Sequence, residues 1–133
     1  MDYKDLVKSA NEIKRNAYAP YSNFHVGAAL IGNSGKVYTG VNIENSSYGA
    51  TICAERTAIL KAISEGEKKI KVLAIASDSE DFTFPCGICR QIILEFADED
   101  LVILCSNNKG EYKVYNLNDF LPNAFIFKKQ NNS

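Results

Sequence analysis

Residues 72–105 read VLAIASDSEDFTFPCGICRQIILEFADEDLVILC. Val72 to Ala76 and Leu101 to Cys105 are continuous apolar runs of strand length, the pattern of strands covered on both faces. Between them, from about Gly87 to Phe96, lies a helical segment. A strand, a helix and a second strand in this order form the crossover that joins parallel neighbours in a sheet.

Working outward, His25 to Ile31 and Lys36 to Val41 flank Gly32-Asn33-Ser34-Gly35, which predicts an antiparallel hairpin. Leu6, Val7, Ala10, Ile13 and Ala17 recur at helical steps after a capping Asp2, and Pro20 ends that helix. A second helix runs from about Cys53 to Glu65, with Ala54, Ala58, Ile59, Ala62 and Ile63 facing inward. Beyond Cys105, the connection Asn107-Asn108-Lys109-Gly110 is too short for a crossover. Glu111 to Tyr115 is therefore expected antiparallel at a sheet edge, followed by a short helix near Leu117 to Leu121. The sum is an α/β fold, a three-layer α/β/α sandwich around a mixed five-stranded sheet. It is expected to form a single domain over residues 1–133, with 127–133 a frayed polar tail.

Hydrophobic residues make up 46 % of the 133-residue chain and charged residues 23 %, a composition that supports one packed core. The formal net charge is −1, with no block of like charges to track phosphates, so a nucleic-acid polymer is not the expected partner. The opening Met-Asp-Tyr-Lys-Asp-Leu has no signal-peptide core, and no stretch reaches the length of a membrane span. These features predict a cytoplasmic protein with no membrane partner, in which four cysteines are better read as metal ligands or catalysts than as disulfides.

Two clusters carry chemistry: Cys53-Ala54-Glu55 and Pro85-Cys86-Gly87-Ile88-Cys89. Each begins a helix that follows a strand, which places both at the carboxyl ends of neighbouring strands, where open α/β sheets bind ligands. Cys86 and Cys89 share one helical turn, and Cys53 can approach from the facing helix to complete a three-thiolate zinc site. Three protein ligands leave the fourth position to water. Helix N-termini favour thiolate, and first-turn side chains tilt back over the helix start, so Glu55 can share the site end-on. Three thiolates on a divalent cation leave a charge of −1, and Arg56 is the best-placed compensating cation. A Cys-x-x-Cys pair alone could instead be a redox dithiol, and a fourth thiolate from Cys105 would close the site and make it structural. Cys105 ends an apolar strand, where free cysteine commonly serves as a small hydrophobe. His25, the only histidine, has no partner at ligand spacing.

The ordered set Tyr18-Ala19-Pro20-Tyr21-Ser22, Phe24, Val26-Gly27-Ala28-Ala29, Asn42-Ile43-Glu44-Asn45, Cys53-Ala54-Glu55-Arg56-Thr57-Ala58 and Pro85-Cys86-Gly87-Ile88-Cys89-Arg90-Gln91 resembles the small cytidine deaminases over nearly the whole chain. The resemblance implies a zinc held by Cys53, Cys86 and Cys89, with Glu55 as the proton shuttle. It implies hydrolytic deamination of free cytidine and deoxycytidine, through attack of zinc-activated water at C4. It further assigns Asn42 and Glu44 to the sugar hydroxyls, Phe24 to the face of the ring and the Ala54 backbone to the base. Tyr48 and Phe125 match aromatics that reach the active sites of neighbouring subunits in tetrameric members, which implies a homotetramer with a small-molecule nucleoside as substrate.

Overall fold

The computed structural model describes residues 2–126, so the expected tail over 127–133 lies outside the described residues. Its helices are α1 (Tyr3–Ile13), α2 (Ala54–Ser64) and α3 (Gly87–Phe96); its strands are β1 (Val26–Gly32), β2 (Val37–Val41), β3 (Ile70–Ser77), β4 (Ala97–Ser106) and β5 (Tyr112–Asn116). The five strands form one sheet in the order β2-β1-β3-β4-β5. β3 and β4 run parallel and every other neighbouring pair antiparallel, as the crossover and the two short connections require.

Alternation along the strands divides the core between two faces. Leu30, Leu73, Ile75 and Ile103 pack with Ala58, Ile59 and Ala62 of α2 and Ile93 of α3. Their neighbours Ala29, Ala74, Ala76 and Leu104 point the other way, against Leu6, Val7 and Ala10 of α1. Two glycines let the helices settle directly on the hairpin backbone. A Cβ on Gly27 would stand 2.0 Å from the Ala10 carbonyl oxygen, and one on Gly40 would stand 2.4 Å from the Ala58 nitrogen. Among the described residues, no helix is long and apolar enough to cross a membrane.

Several expectations need correction. The first helix stops at Ile13 and tightens into a 3-10 turn over Lys14–Asn16, leaving Ala17 outside. The short helix after β5 is likewise a 3-10 turn, Leu117–Asp119. β4 starts at Ala97, directly after α3, because the Ala97–Ile70 pairing draws the acidic residues 98–100 into the strand before the register shifts. Most consequentially, β2 and β3 are not neighbours: β1 lies between them, bonded to both along its length. Two antiparallel steps still leave β2 and β3 pointing the same way, so their carboxyl ends share one edge of the sheet.

A buried carboxylate braces the other end of the hairpin. Glu67 accepts hydrogen bonds from the Ser34 backbone N–H at 3.1 Å, the Ser34 hydroxyl, and the Tyr38 hydroxyl at 2.8 Å. The Ser34 hydroxyl is the first cause that holds the Glu67 carboxyl below the ordinary carboxylate range, followed by the Ser34 amide and Tyr38. A folded-state value below the unfolded one contributes stability above the unfolded value, and that contribution fades as pH falls through the folded value. Glu67→Gln is therefore expected to unfold at lower denaturant than the native chain at neutral pH. The gap should narrow below about pH 4.5, where the unfolded carboxylate protonates. Urea titrations of both proteins at a series of pH values measure it; a gap that does not change with pH would remove the ionised carboxylate from the argument.

Candidate active site and metal centre

Two helix starts build the site. Cys53 is the N-cap of α2, and Cys86 is the N-cap of α3, its sulfur accepting a hydrogen bond from the Cys89 N–H at 3.4 Å. Cys89 sits in the first turn of α3, fully buried, while Cys53 is half-buried and Cys86 exposed. The Cys53 and Cys86 sulfurs are 3.5 Å apart, and all three sulfurs lie within 4.8 Å of one another. In a tetrahedral zinc site with Zn–S near 2.3 Å, sulfurs stand roughly 3.8 Å apart. The residues present therefore fit zinc. Among the described residues this is the one cluster of three or more potential ligands that could hold a metal ion. Cys105 stays outside it, inside β4, where burial pushes its thiol up to about 12.

The thiols share their protons unequally. Hydrogen bonding with Cys89 draws the Cys53 thiol down, with help from Cys86 and the Arg56 charge, and the same bond, reinforced by burial, pushes Cys89 up. Glu55, one residue into α2, is only 4 % exposed. Burial raises its carboxyl to about 7, against opposing hydrogen bonds from its own backbone, the Cys89 thiol and the Cys86 backbone. Arg56 donates from Nη2 to the Thr51 carbonyl at 2.8 Å, and its buried Nε has no partner among the described residues.

A cavity of about 240 Å³ opens beside the sulfurs, lined by Phe24, Asn42, Ala54 and Glu55 together with Cys53 and Cys86. Asn42 is buried and held, its Oδ1 accepting from the Val26 N–H and its Nδ2 donating to the Phe24 carbonyl, both at 2.9 Å. Those two bonds fix the backbone on either side of residue 25, which sets the position of Phe24.

Glu44 is not in that cavity. It lines an adjoining one of about 380 Å³ with Tyr21, Ser22 and Tyr48, and Thr51 borders both. The Ser22 hydroxyl, with the Ser22 and Tyr21 backbone N–H groups, binds its carboxylate and holds it below the ordinary range. Tyr48 is 87 % exposed on the 3-10 turn Tyr48–Ala50. Phe125, 72 % exposed, lies beside Gln91 and Glu95 of α3 and does not enter its own chain's thiol cavity. A larger cavity, about 580 Å³, sits at the irregular start of β4 and contains none of the thiols.

Sequence reasoning did not single out Thr51, Ile52, Thr83 or Phe84, which also line the thiol cavity. The signal available for Phe84 was its place immediately before Pro85-Cys86; Thr51 and Ile52 immediately precede Cys53.

Comparison with known proteins points the same way. A family model described as the cytidine and deoxycytidylate deaminase zinc-binding region matches residues 1–105, a span that contains all three clustered cysteines and Glu55. A cytidine deaminase of Sporosarcina psychrophila is 44% identical over 125 residues, covering 94% of this chain and 92% of its own. A probable cytidine deaminase of Dictyostelium discoideum is 54% identical over 102 residues, covering 76% of this chain and 69% of its own. The crystal structure of a cytidine deaminase from Burkholderia pseudomallei superposes with a TM-score of 0.89 at 41% identity, covering 94% of this chain and 100% of that one. With the sheet order, the thiol cluster and near full-length similarity in agreement, the chain belongs to the zinc-binding cytidine and deoxycytidylate deaminase family.

Proposed function

We propose that this protein is a zinc-dependent hydrolase that converts free cytidine and deoxycytidine to uridine and deoxyuridine with release of ammonia, serving pyrimidine salvage. One observation carries the reading: three sulfurs within 4.8 Å of one another at two helix starts, with Cys53 and Cys86 lining one cavity together with buried Glu55. Cys53, Cys86 and Cys89 would hold one zinc per chain. Zinc in that place supplies Lewis acidity, which makes water a nucleophile at neutral pH.

The chain's own residues do the rest. Glu55 accepts a proton from the attacking water, passes it to ring N3 as the C4–O bond forms, and carries the second proton to the departing amino group. Water thus supplies the 4-oxo oxygen and ammonia carries off the nitrogen. Phe24 offers its ring to the base, and the Ala54 backbone offers a hydrogen bond to it. Asn42 and Glu44 take the sugar hydroxyls, and the Glu44 carboxylate disfavours a nucleotide phosphate by like-charge repulsion. Arg56, whose buried Nε lacks a partner among the described residues, is a donor suited to a thiolate sulfur and offsets the excess negative charge.

The exposure of Tyr48 and Phe125 supports a homotetramer in which these aromatics complete the sites of neighbouring subunits. A single cytoplasmic domain acting on free nucleosides, with no polymer or membrane partner, completes the reading. The test is ammonia release by zinc-loaded protein from cytidine, cytosine and cytidine monophosphate, with the particle mass measured by light scattering. Turnover of the nucleoside alone by a particle of four chains is the expected result. Turnover of the monophosphate would remove Glu44 as a filter, and an active monomer would remove the shared sites.

A further inference from the structure

The thiol cavity has an aromatic wall beyond Phe24. Phe84 lines the same cavity from the segment that leads into Cys86, and the residue is 46 % exposed. An exposed phenylalanine is ordinarily an isolated surface residue, but this one is braced from behind. Its ring centroid lies 5.7 Å from that of Tyr115, nearly edge-on, and 5.7 Å from that of Phe120; Tyr115 and Phe120 are 5.0 Å apart. Arg90 locks this cluster to the metal loop. Its guanidinium sits 5.0 Å from the Phe120 ring centroid, Nε donates to the Pro85 carbonyl at 2.8 Å, and Nη1 donates to the Phe120 carbonyl at 3.1 Å. On the other side, the Thr83 N–H donates to the Ser106 carbonyl at 3.0 Å. The backbone is therefore pinned immediately before and after Phe84, a residue that lines the cavity and whose ring is packed against Tyr115 and Phe120. A rigid aromatic face loses little entropy on binding, and every nucleobase has a π-face to lay against it.

We propose that Phe84 contacts the bound nucleoside as a second aromatic wall, and that Arg90, Tyr115 and Phe120 are positioning residues that hold it there. The proposal rests on the nucleoside-deaminase reading of the site. Its test compares Phe84→Ala, Phe120→Leu and the double variant by cytidine kinetics, uridine binding in a calorimeter, zinc content and particle mass. Phe84→Ala is expected to raise KM and weaken uridine binding about tenfold, with kcat, zinc and mass held near native. Phe120→Leu should raise KM severalfold in the native background and add little once Phe84 is gone. A native KM in Phe84→Ala, full additivity in the double variant, or a KM change that tracks lost zinc or altered mass would overturn it. A native chain that binds uridine but releases no ammonia would remove the deaminase reading, and the binding series would still decide the role of Phe84.

Discussion

Glu55→Gln is expected to fold, to bind one zinc per chain, and to turn cytidine over about 10²–10⁴-fold more slowly than the native protein. Glutamine keeps the size and hydrogen-bonding reach of the side chain but cannot shuttle a proton between water, ring and leaving group. The site makes that substitution a clean one. Glu55 is a first-turn residue of α2, 4 % exposed, and bordered by the sulfurs. No solvent-exposed base lies beside it among the cavity residues Phe24, Val26, Thr51, Ile52, Thr83 and Phe84. Removing a buried carboxylate also removes a desolvation cost, so the variant should be no less stable than the native chain. Ammonia release, metal analysis and thermal unfolding on the same preparation check all three statements. Near-native turnover would take Glu55 off the proton path, and a loss of rate in step with lost zinc would make it a support for the metal instead.

The elements that were legible in the sequence are those whose environment is uniform. Val72 to Ala76 and Leu101 to Cys105 are buried on both faces, so their apolar character is continuous and the parallel β3–β4 pair follows from it. Cys53 and Cys86 were readable as helix starts because the apolar spacing of α2 and α3 begins just after them. The features that escaped depend on pairing between distant segments. Nothing local in Val26 to Gly32 says that this strand bonds to β3 as well as β2, and that second pairing places β1 between the two strands that lead into the cysteine-bearing helix starts. Asp98-Glu99-Asp100 carries no strand signal, yet the Ala97–Ile70 pairing draws it into β4.

Site residues divide along the same line. Thiol ligands must be cysteine, so their identity and spacing survive in the sequence. Glu44 shows the opposite case: two residues from Asn42 in sequence, it faces a separate cavity because the Tyr21 and Ser22 amides turn its carboxylate toward their own loop. Phe84 looks like any apolar residue until Tyr115, Phe120 and Arg90 arrive from elsewhere in the chain.

Loss of any one of the three clustered thiols should be as damaging as Glu55→Gln, for a different reason. Cys53→Ala, Cys86→Ala and Cys89→Ala are each expected to purify without stoichiometric zinc and to lose at least about 10³-fold in turnover, since two sulfurs no longer make a three-point site and several kcal/mol of metal-derived stabilisation go with it. The three cysteines also tie the N-termini of α2 and α3 together, and a metal that binds only the folded chain stabilises it by mass action. Chelator-treated native protein and the ligand variants should therefore melt at similar, lowered temperatures, and added zinc should raise the melting temperature of the native protein alone. Cys105→Ala supplies the contrast. Its sulfur is buried in β4, outside the cluster, so the variant should keep its zinc and its activity while losing some stability to the small cavity left in the core. Zinc retained by Cys53→Ala would dissolve the three-thiolate site, and zinc lost from Cys105→Ala would turn it into a closed four-thiolate one. Only the combination of three indispensable sulfurs and one dispensable sulfur leaves an open coordination position beside Glu55, and that open position is what separates a catalytic zinc from a structural one.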